Sequence, residues 1–147
     1  MNITSLLSPE NVLCKQQSTS KKRVLESIAE HIGSTSSELQ ANDVFSALIS
    51  RERLGSTGIG NGIAIPHCRM NECKTITAML VTLENSIDFD SIDNQAVDVI
   101  FVLIVPKDAN DDHLRTLASI AETFSNENTL NKVRMANDTE TLMAVFA

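Results

Sequence analysis

Residues 97–105 read VDVIFVLIV, and Pro106 follows. Only Asp98 interrupts the apolar run, and nothing alternates. A strand with one wet face alternates; a strand covered on both faces does not. The run therefore predicts a strand in a sheet held between two helix layers. Pro106 has no N–H to give a ladder and ends it. Working outward, Thr77 to Leu83 reads as a neighbouring strand and Asn11 to Lys15 as a short first one.

Helical spacing fills the rest. Ser18, Thr19 and Ser20 offer cap hydroxyls, and Val24, Leu25, Ile28, Ala29 and Ile32 then recur on one face, with Gly33 as the stop. The Ser/Thr-rich patch Ser34 to Ser37 reads as the loop to the next helix. That helix starts near Asn42 or Asp43 and buries Val44, Phe45, Leu48 and Ile49. Arg51 and Arg53 fall in its last turn, where cations suit the dipole, and Gly55 follows. From Asp112 a helix carries Leu114, Leu117, Ala118, Ala121 and Phe124 inward, and two shorter helices follow at about 128–136 and 138–146, the last capped by Asp138. The order is βααβββααα. The expected fold is α/β: a three-layer α/β/α domain, residues 1–147 as one unit, with a small mixed sheet flanked by helices on both faces.

Composition narrows the function. The 147 residues carry a net charge of −7, which argues against nucleic acid as a partner. There are five Phe and no Trp or Tyr, so stacking platforms are scarce. Cys14, Cys68 and Cys73 form no CxxC and suggest neither disulfide framework nor zinc site; three free thiols fit a reducing cytoplasm. Met1 to Pro9 has no signal-peptide character, and no run is long enough to insert in a bilayer.

Residues 55–67 read GSTGIGNGIAIPH, and they hold four of the five glycines. Such a run suits either a bulged edge hairpin or a loop that must approach a ligand closely. It is not a dinucleotide fingerprint, because Ile63 stands where the third glycine belongs. It is not a P-loop, because Asn61 and Gly62 follow Gly60. It leads through Ile63, Ala64, Ile65 and Pro66 to His67. A lone histidine is more often a structural or surface residue than a reactive one. Here Pro66 stiffens the approach and a β-branched run delivers the ring at a strand end. A neutral imidazole is a good nucleophile toward phosphorus, and phosphoryl transfer then needs positioning and cationic or N–H donors. Arg51 and His113 are candidates, the latter at a helix start beside Asp111 and Asp112, whose charges must point away from any phosphate. His31 reads as a helix-end residue without a catalytic role. Asp88, Asp90 and Asp93 read as an Asx-rich turn and not as a metal cluster. Lys21, Lys22 and Arg23 read as a solvated helix start.

Glu52, Ile59, Gly60, Ile63, Ala64, Ile65, Pro66, His67 and Cys68 resemble, position by position, the phosphorylation-site motif of the IIA proteins of the fructose/mannitol class of the bacterial phosphotransferase system. The wording RERLGSTGIGNGIAIPH is more similar still to the nitrogen-regulatory branch, IIA-Ntr, and residues 89–106 and 113–124 are similar to it as well. The resemblance implies a phosphotransferase component that works through a phosphohistidine and needs no cofactor. It implies His67 as the phosphorylated residue, Arg51 and His113 as its catalytic neighbours, and Thr57, Gly60 and Asn61 as the loop beside the phosphate. An HPr-like phosphocarrier protein would be the donor, and regulated proteins such as potassium-transport components the targets, in the cytoplasm. The alternative is transfer to a IIB domain for fructose/mannitol-type sugar uptake. Cys68 departs from the glycine more often found there; it is a small passive residue or an oxidisable one. Readings from other classes are a metal-dependent hydrolase and a non-catalytic binding domain. Against the first stands the lack of paired ligand spacing, and against the second the intact His67 motif.

Overall fold

The structure is a computed structural model that describes residues 3–109 and 111–147. A short helix α1 (Ile3–Leu6) and a 3-10 turn (Pro9–Asn11) lead into strand β1 (Val12–Gln16). Helices α2 (Lys21–Thr35) and α3 (Ala41–Arg53) follow. Five strands come next: β2 (Gly58–Gly60), β3 (Ile63–Ala64), β4 (His67–Met70), β5 (Thr77–Ile87) and β6 (Val97–Pro106). Helices α4 (Asp111–Ser125), α5 (Glu127–Met135) and α6 (Thr139–Ala144) close the chain.

The sheet is mixed, with order β1-β5-β6-β3-β2 and β4 also paired to β6. β5 and β6 run antiparallel. β3 and β4 both run parallel to β6, meeting it at Val99–Ile100 and at Leu103–Pro106.

The double-sided run at 97–105 behaves as its composition demands. Ile100, Val102 and Ile104 face α2 and α3, packing with Leu25, Ile28 and Leu48. Val99, Phe101, Leu103 and Val105 face α4–α6, packing with Ile120, Phe124, Val133 and Leu142. Each such side chain removed from water contributes about 1.5–3 kcal/mol. The Phe101 and Phe124 rings lie 6.0 Å apart. Asp98, the one acid in β6, is answered by Arg134 of α5, whose Nε donates at 2.9 Å and whose Nη2 donates at 3.0 Å.

Caps appear where the sequence put them. Ser20 accepts from the Arg23 N–H and Asp138 from the Thr141 N–H. Three expectations need correction. α2 does not stop at Gly33 but runs to Thr35. Gly33 serves close packing instead, since a Cβ there would lie 2.7 Å from the Ala41 nitrogen at the start of α3. In α4 Phe124 is buried and Leu117 and Ala121 pack on the core as expected, but the fully buried stripe also takes Thr116 and Ile120, while Leu114 is 58% exposed and Ala118 lies outside. Thr116 can be buried because its hydroxyl donates to the Asp112 carbonyl within the helix. Finally, the glycine-rich stretch holds three short strands of its own.

Truncating Phe101 to Ala leaves a cavity between β6 and α4, and is expected to lower unfolding stability by about 3–5 kcal/mol in urea titrations. Thiol reactivity checks the core independently. Cys68 and Cys73 are buried and Cys14 is half-buried. Burial, helped by the neighbouring Cys73, pushes the Cys68 thiol up to about 12. At neutral pH an alkylating reagent should modify Cys14 first and leave Cys68 and Cys73 untouched until denaturant is added, as counted by intact mass.

Candidate functional site

His67 opens β4, which borders β6 at the sheet edge, with α3 and α4 on opposite sides of that edge. Here the two helix layers cannot close over the sheet, and a cavity of about 470 Å³ remains between them. α3 contributes Arg51, β4 contributes His67 and Arg69, and α4 contributes His113. Leu103 and Val105 of β6 form apolar floor, while Leu54 and Leu114, 85% and 58% exposed, stand at the rim.

Local backbone chemistry aims the His67 ring. Pro66 has no N–H and interrupts the edge strand, but its carbonyl still accepts from the Leu103 N–H at 3.0 Å. The Ile65 N–H donates to the Thr57 carbonyl at 3.0 Å. His67 Nδ1 lies 2.8 Å from the Ile65 carbonyl oxygen. A carbonyl can only accept, so Nδ1 carries the hydrogen. In the neutral ring the lone pair is then on Nε2, and the imidazole is held by its own backbone in the tautomer that exposes it.

The partners come from both layers. Arg51 is half-buried and donates from Nη1 to the Gly55 carbonyl at 2.9 Å, which ties its guanidinium to the loop that follows α3. His113 lies in the first turn of α4, and its Nδ1 is buried with no hydrogen-bond partner among the described residues. Such an orphaned polar atom costs free energy unless something in the cavity answers it. Asp111 and Asp112 do not line the cavity; Asp112 accepts from Arg115 at 3.3 Å. Among the described residues the lining holds two arginines and two histidines and no carboxylate, in a chain of net charge −7. The arrangement can present the His67 Nε2 lone pair beside two guanidinium groups and a second imidazole.

The other three predicted residues are not brought here. Thr57 is buried and donates both its N–H and its hydroxyl to the Glu52 carboxylate. That carboxylate also takes an ion pair from Lys21 at 3.0 Å. Gly60 and Asn61 belong to a hairpin. Asn61 and Gly62 form its two-residue turn, with φ of 58° and 80°, as a type I′ connection requires. The Asn61 N–H donates to Asp93 at 3.0 Å, and its carbonyl accepts from Arg134. Gly58 is required because a Cβ there would strike the Ser91 hydroxyl. Of the two readings of the glycine run, this geometry is the bulged hairpin.

Lys21 and Arg69 were not singled out by sequence reasoning for any role in the site. Lys21 had a signal, a cation in a first helical turn against the dipole. Arg69 had one as well, two residues beyond His67 on a strand and so on the same face. His31 is structural, its Nε2 lying 2.6 Å from the Glu10 carbonyl. Asp88 and Asp93 accept from the Asp90 and Gln95 N–H groups and so make the expected Asx turns. Among the described residues no group of three or more His, Cys, Asp or Glu gathers where one ion could be held.

The chain is similar to known proteins over nearly its whole length. Nitrogen regulatory protein of Pseudomonas aeruginosa is 39% identical over 145 residues, covering 99% of this chain and 94% of that one. The protein of the same name from Escherichia coli K12 is 40% identical over 148 residues, covering 99% and 90%. The crystal structure of nitrogen regulatory protein IIA-Ntr from Neisseria meningitidis superposes with a TM-score of 0.92 at 33% identity, over 99% of each chain. The mannitol IIA of Escherichia coli shares the fold, with a TM-score of 0.80 at 15% identity over 96% of this chain and 99% of that one. The family model for the phosphoenolpyruvate-dependent sugar phosphotransferase system, EIIA 2, matches residues 5–147, and the chain belongs to that family, alongside its nitrogen regulatory members.

Proposed function

We propose that the chain is a phosphocarrier of the nitrogen branch of the phosphotransferase system. It accepts a phosphoryl group on His67 from a phosphorylated HPr-like protein and regulates target proteins according to its phosphorylation state. The observation that carries this reading is His67 itself: its Nε2 is left free by the Ile65 carbonyl inside a cavity lined by cations and no carboxylate.

In the transfer, the His67 Nε2 lone pair attacks the phosphorus of the donor's phosphohistidine. The new N–P bond forms as the donor's N–P bond breaks, and that electron pair returns to the donor imidazole. The Nδ1 hydrogen stays on His67, still donated to Ile65, so the phosphorylated ring needs no separate base. Arg51 and His113 face the phosphoryl oxygens and offset their charge, the part of the barrier a protein lowers most effectively in phosphoryl transfer. The phosphate adds roughly −1.5 to −2 charges to the cavity, by analogy with hydroxyl phosphoesters. A partner such as a potassium-transport component would read that change. Thr57, Gly60 and Asn61 support the reaction from a distance, by fixing the hairpin that leads into Pro66. On this reading the reaction takes place in the cytoplasm.

A second reading is supported by the family's description as a sugar system and by a neighbour solved as a complex of enzyme IIAMTL and phosphorylated enzyme IIBMTL. In it His67 passes the phosphate to a IIB domain.

Incubation with phosphoenolpyruvate, the system's first enzyme and an HPr-like carrier should add one acid-labile phosphate, about 80 Da by intact mass. The gain should vanish in His67→Ala. Transfer onward to isolated IIB proteins would favour the second reading, and no gain from either branch's carrier would overturn both. His113→Ala is expected to fold normally by circular dichroism and to slow phosphorylation by about 10²-fold in quenched-flow mass measurements, as loss of one transition-state donor does.

A further inference from the structure

Arg69 is the cavity cation for which the motif carries no role. It follows His67 by two residues in β4, so its side chain leaves the strand on the same face, with the two Cβ atoms about 7 Å apart. It lines the same cavity and is exposed. No hydrogen bond or ion pair engages it among the described residues, whereas Arg23, Arg115 and Arg134 are each matched to a carboxylate. Arg51 has one of its nitrogens committed to the Gly55 carbonyl. A phosphoryl group presents three acceptor oxygens. Besides His67 itself, the arginine and histidine side chains of the cavity come from three elements: Arg51 from α3, His113 from α4 and Arg69 from β4.

Resting on the phosphocarrier reading, we propose that Arg69 is a second guanidinium clamp, which swings from solvent onto the phosphoryl oxygens once the group is bound to His67. Its fork reaches back along the strand from the side opposite α3, where Arg51 stays anchored. The competing occupant of Arg69 is an acidic side chain of the donor protein. The two differ in what they change. A contact to the phosphoryl group alters the phosphorylated protein after the donor has gone; a contact to the donor surface alters only the encounter.

The test uses the full chain, phosphorylated on His67 and freed of donor, as wild type, Arg69→Ala and Arg69→Lys. Phosphorus NMR titration reads the last ionisation of the phosphoryl group, with Arg51 and His113 present in every variant. Arg69→Ala is expected to raise that pKa by about 0.5, as loss of one cation near 5 Å in high dielectric does. Arg69→Lys should fall between Ala and wild type. The equilibrium of phosphoryl exchange with the donor carrier should shift toward the donor by about threefold or more in Arg69→Ala. The proposal is overturned if titration and equilibrium match wild type, whether nothing else changes or forward and reverse rates fall together by a factor that shrinks as salt is added. That last pattern assigns Arg69 to the donor surface. Failure of wild type itself to take up phosphate overturns the phosphocarrier reading; normal uptake with an unchanged Arg69→Ala overturns this inference alone.

Discussion

The burial of β6 on both faces is the constraint from which the architecture follows. Val99, Phe101 and Leu103 on one side and Ile100, Val102 and Ile104 on the other must both be covered. That demand recruits α2 and α3 to one face and α4–α6 to the other. Two helix layers over a small sheet meet at its edges. At the edge held by β4 they leave the cavity that Arg51 and His113 enter from opposite sides. The site is thus a consequence of the packing: a rigid strand presents the histidine, and each helix layer contributes one partner.

A second constraint sets the fine geometry. Glu52 sits in the last turn of α3, next to Arg51, and is 8% exposed. Its carboxylate gathers the Thr57 N–H and hydroxyl and the Lys21 ammonium. Lys21 in turn lies 4.8 Å over the Phe89 ring, in the segment between β5 and β6. One charge therefore ties together the end of α3, the start of α2 and the segment that enters the hairpin. A buried pair of this kind adds little net stability over an apolar substitute, but it penalises strongly any arrangement in which one partner is missing. Its value lies in fixing one position for the loop, and with it Gly55, whose carbonyl anchors Arg51.

What could be read in the letters follows from how local each signal is. The uninterrupted run at 97–105 needs no partner to be understood, and the 3.6-residue spacing of α2 and α3 is also self-contained. The place of His67 at a strand end could be read because Pro66 and the β-branched residues before it lie in the same stretch; Arg51 and His113 could be named from their helix ends, but that they line one cavity with His67 depends on the packing. The glycines were ambiguous because the reason for each is remote: Gly58 faces Ser91, Gly60 faces Asp93 and Gly62 faces Arg134. Phosphate loop and bulged hairpin ask for the same residue, and only those neighbours separate them. In α4 the apolar spacing finds Leu117, Ala121 and Phe124 but misses the Thr116 edge of the stripe, because Thr116 counts as polar until its hydroxyl is seen to bond within the helix. Lys21 was read as solvated because its partner lies 31 positions away.

Charge explains why such a site suits an acidic protein. With a net charge of −7, the chain as a whole disfavours an incoming phosphorylated partner. Screening reduces that long-range field within about 10 Å at ordinary salt, whereas groups inside a low-dielectric cavity are screened far less. A local set of two arginines and two histidines with no carboxylate can therefore hold an anion although the surroundings are negative. On the proposed reading, the added phosphate brings those cations near neutrality and leaves the apolar rim of Leu54 and Leu114 in place. The two states of the protein then share a contact surface and differ in the charge at its centre. A partner that discriminates between them has to do so electrostatically, by a group that is either satisfied or repelled at that one point.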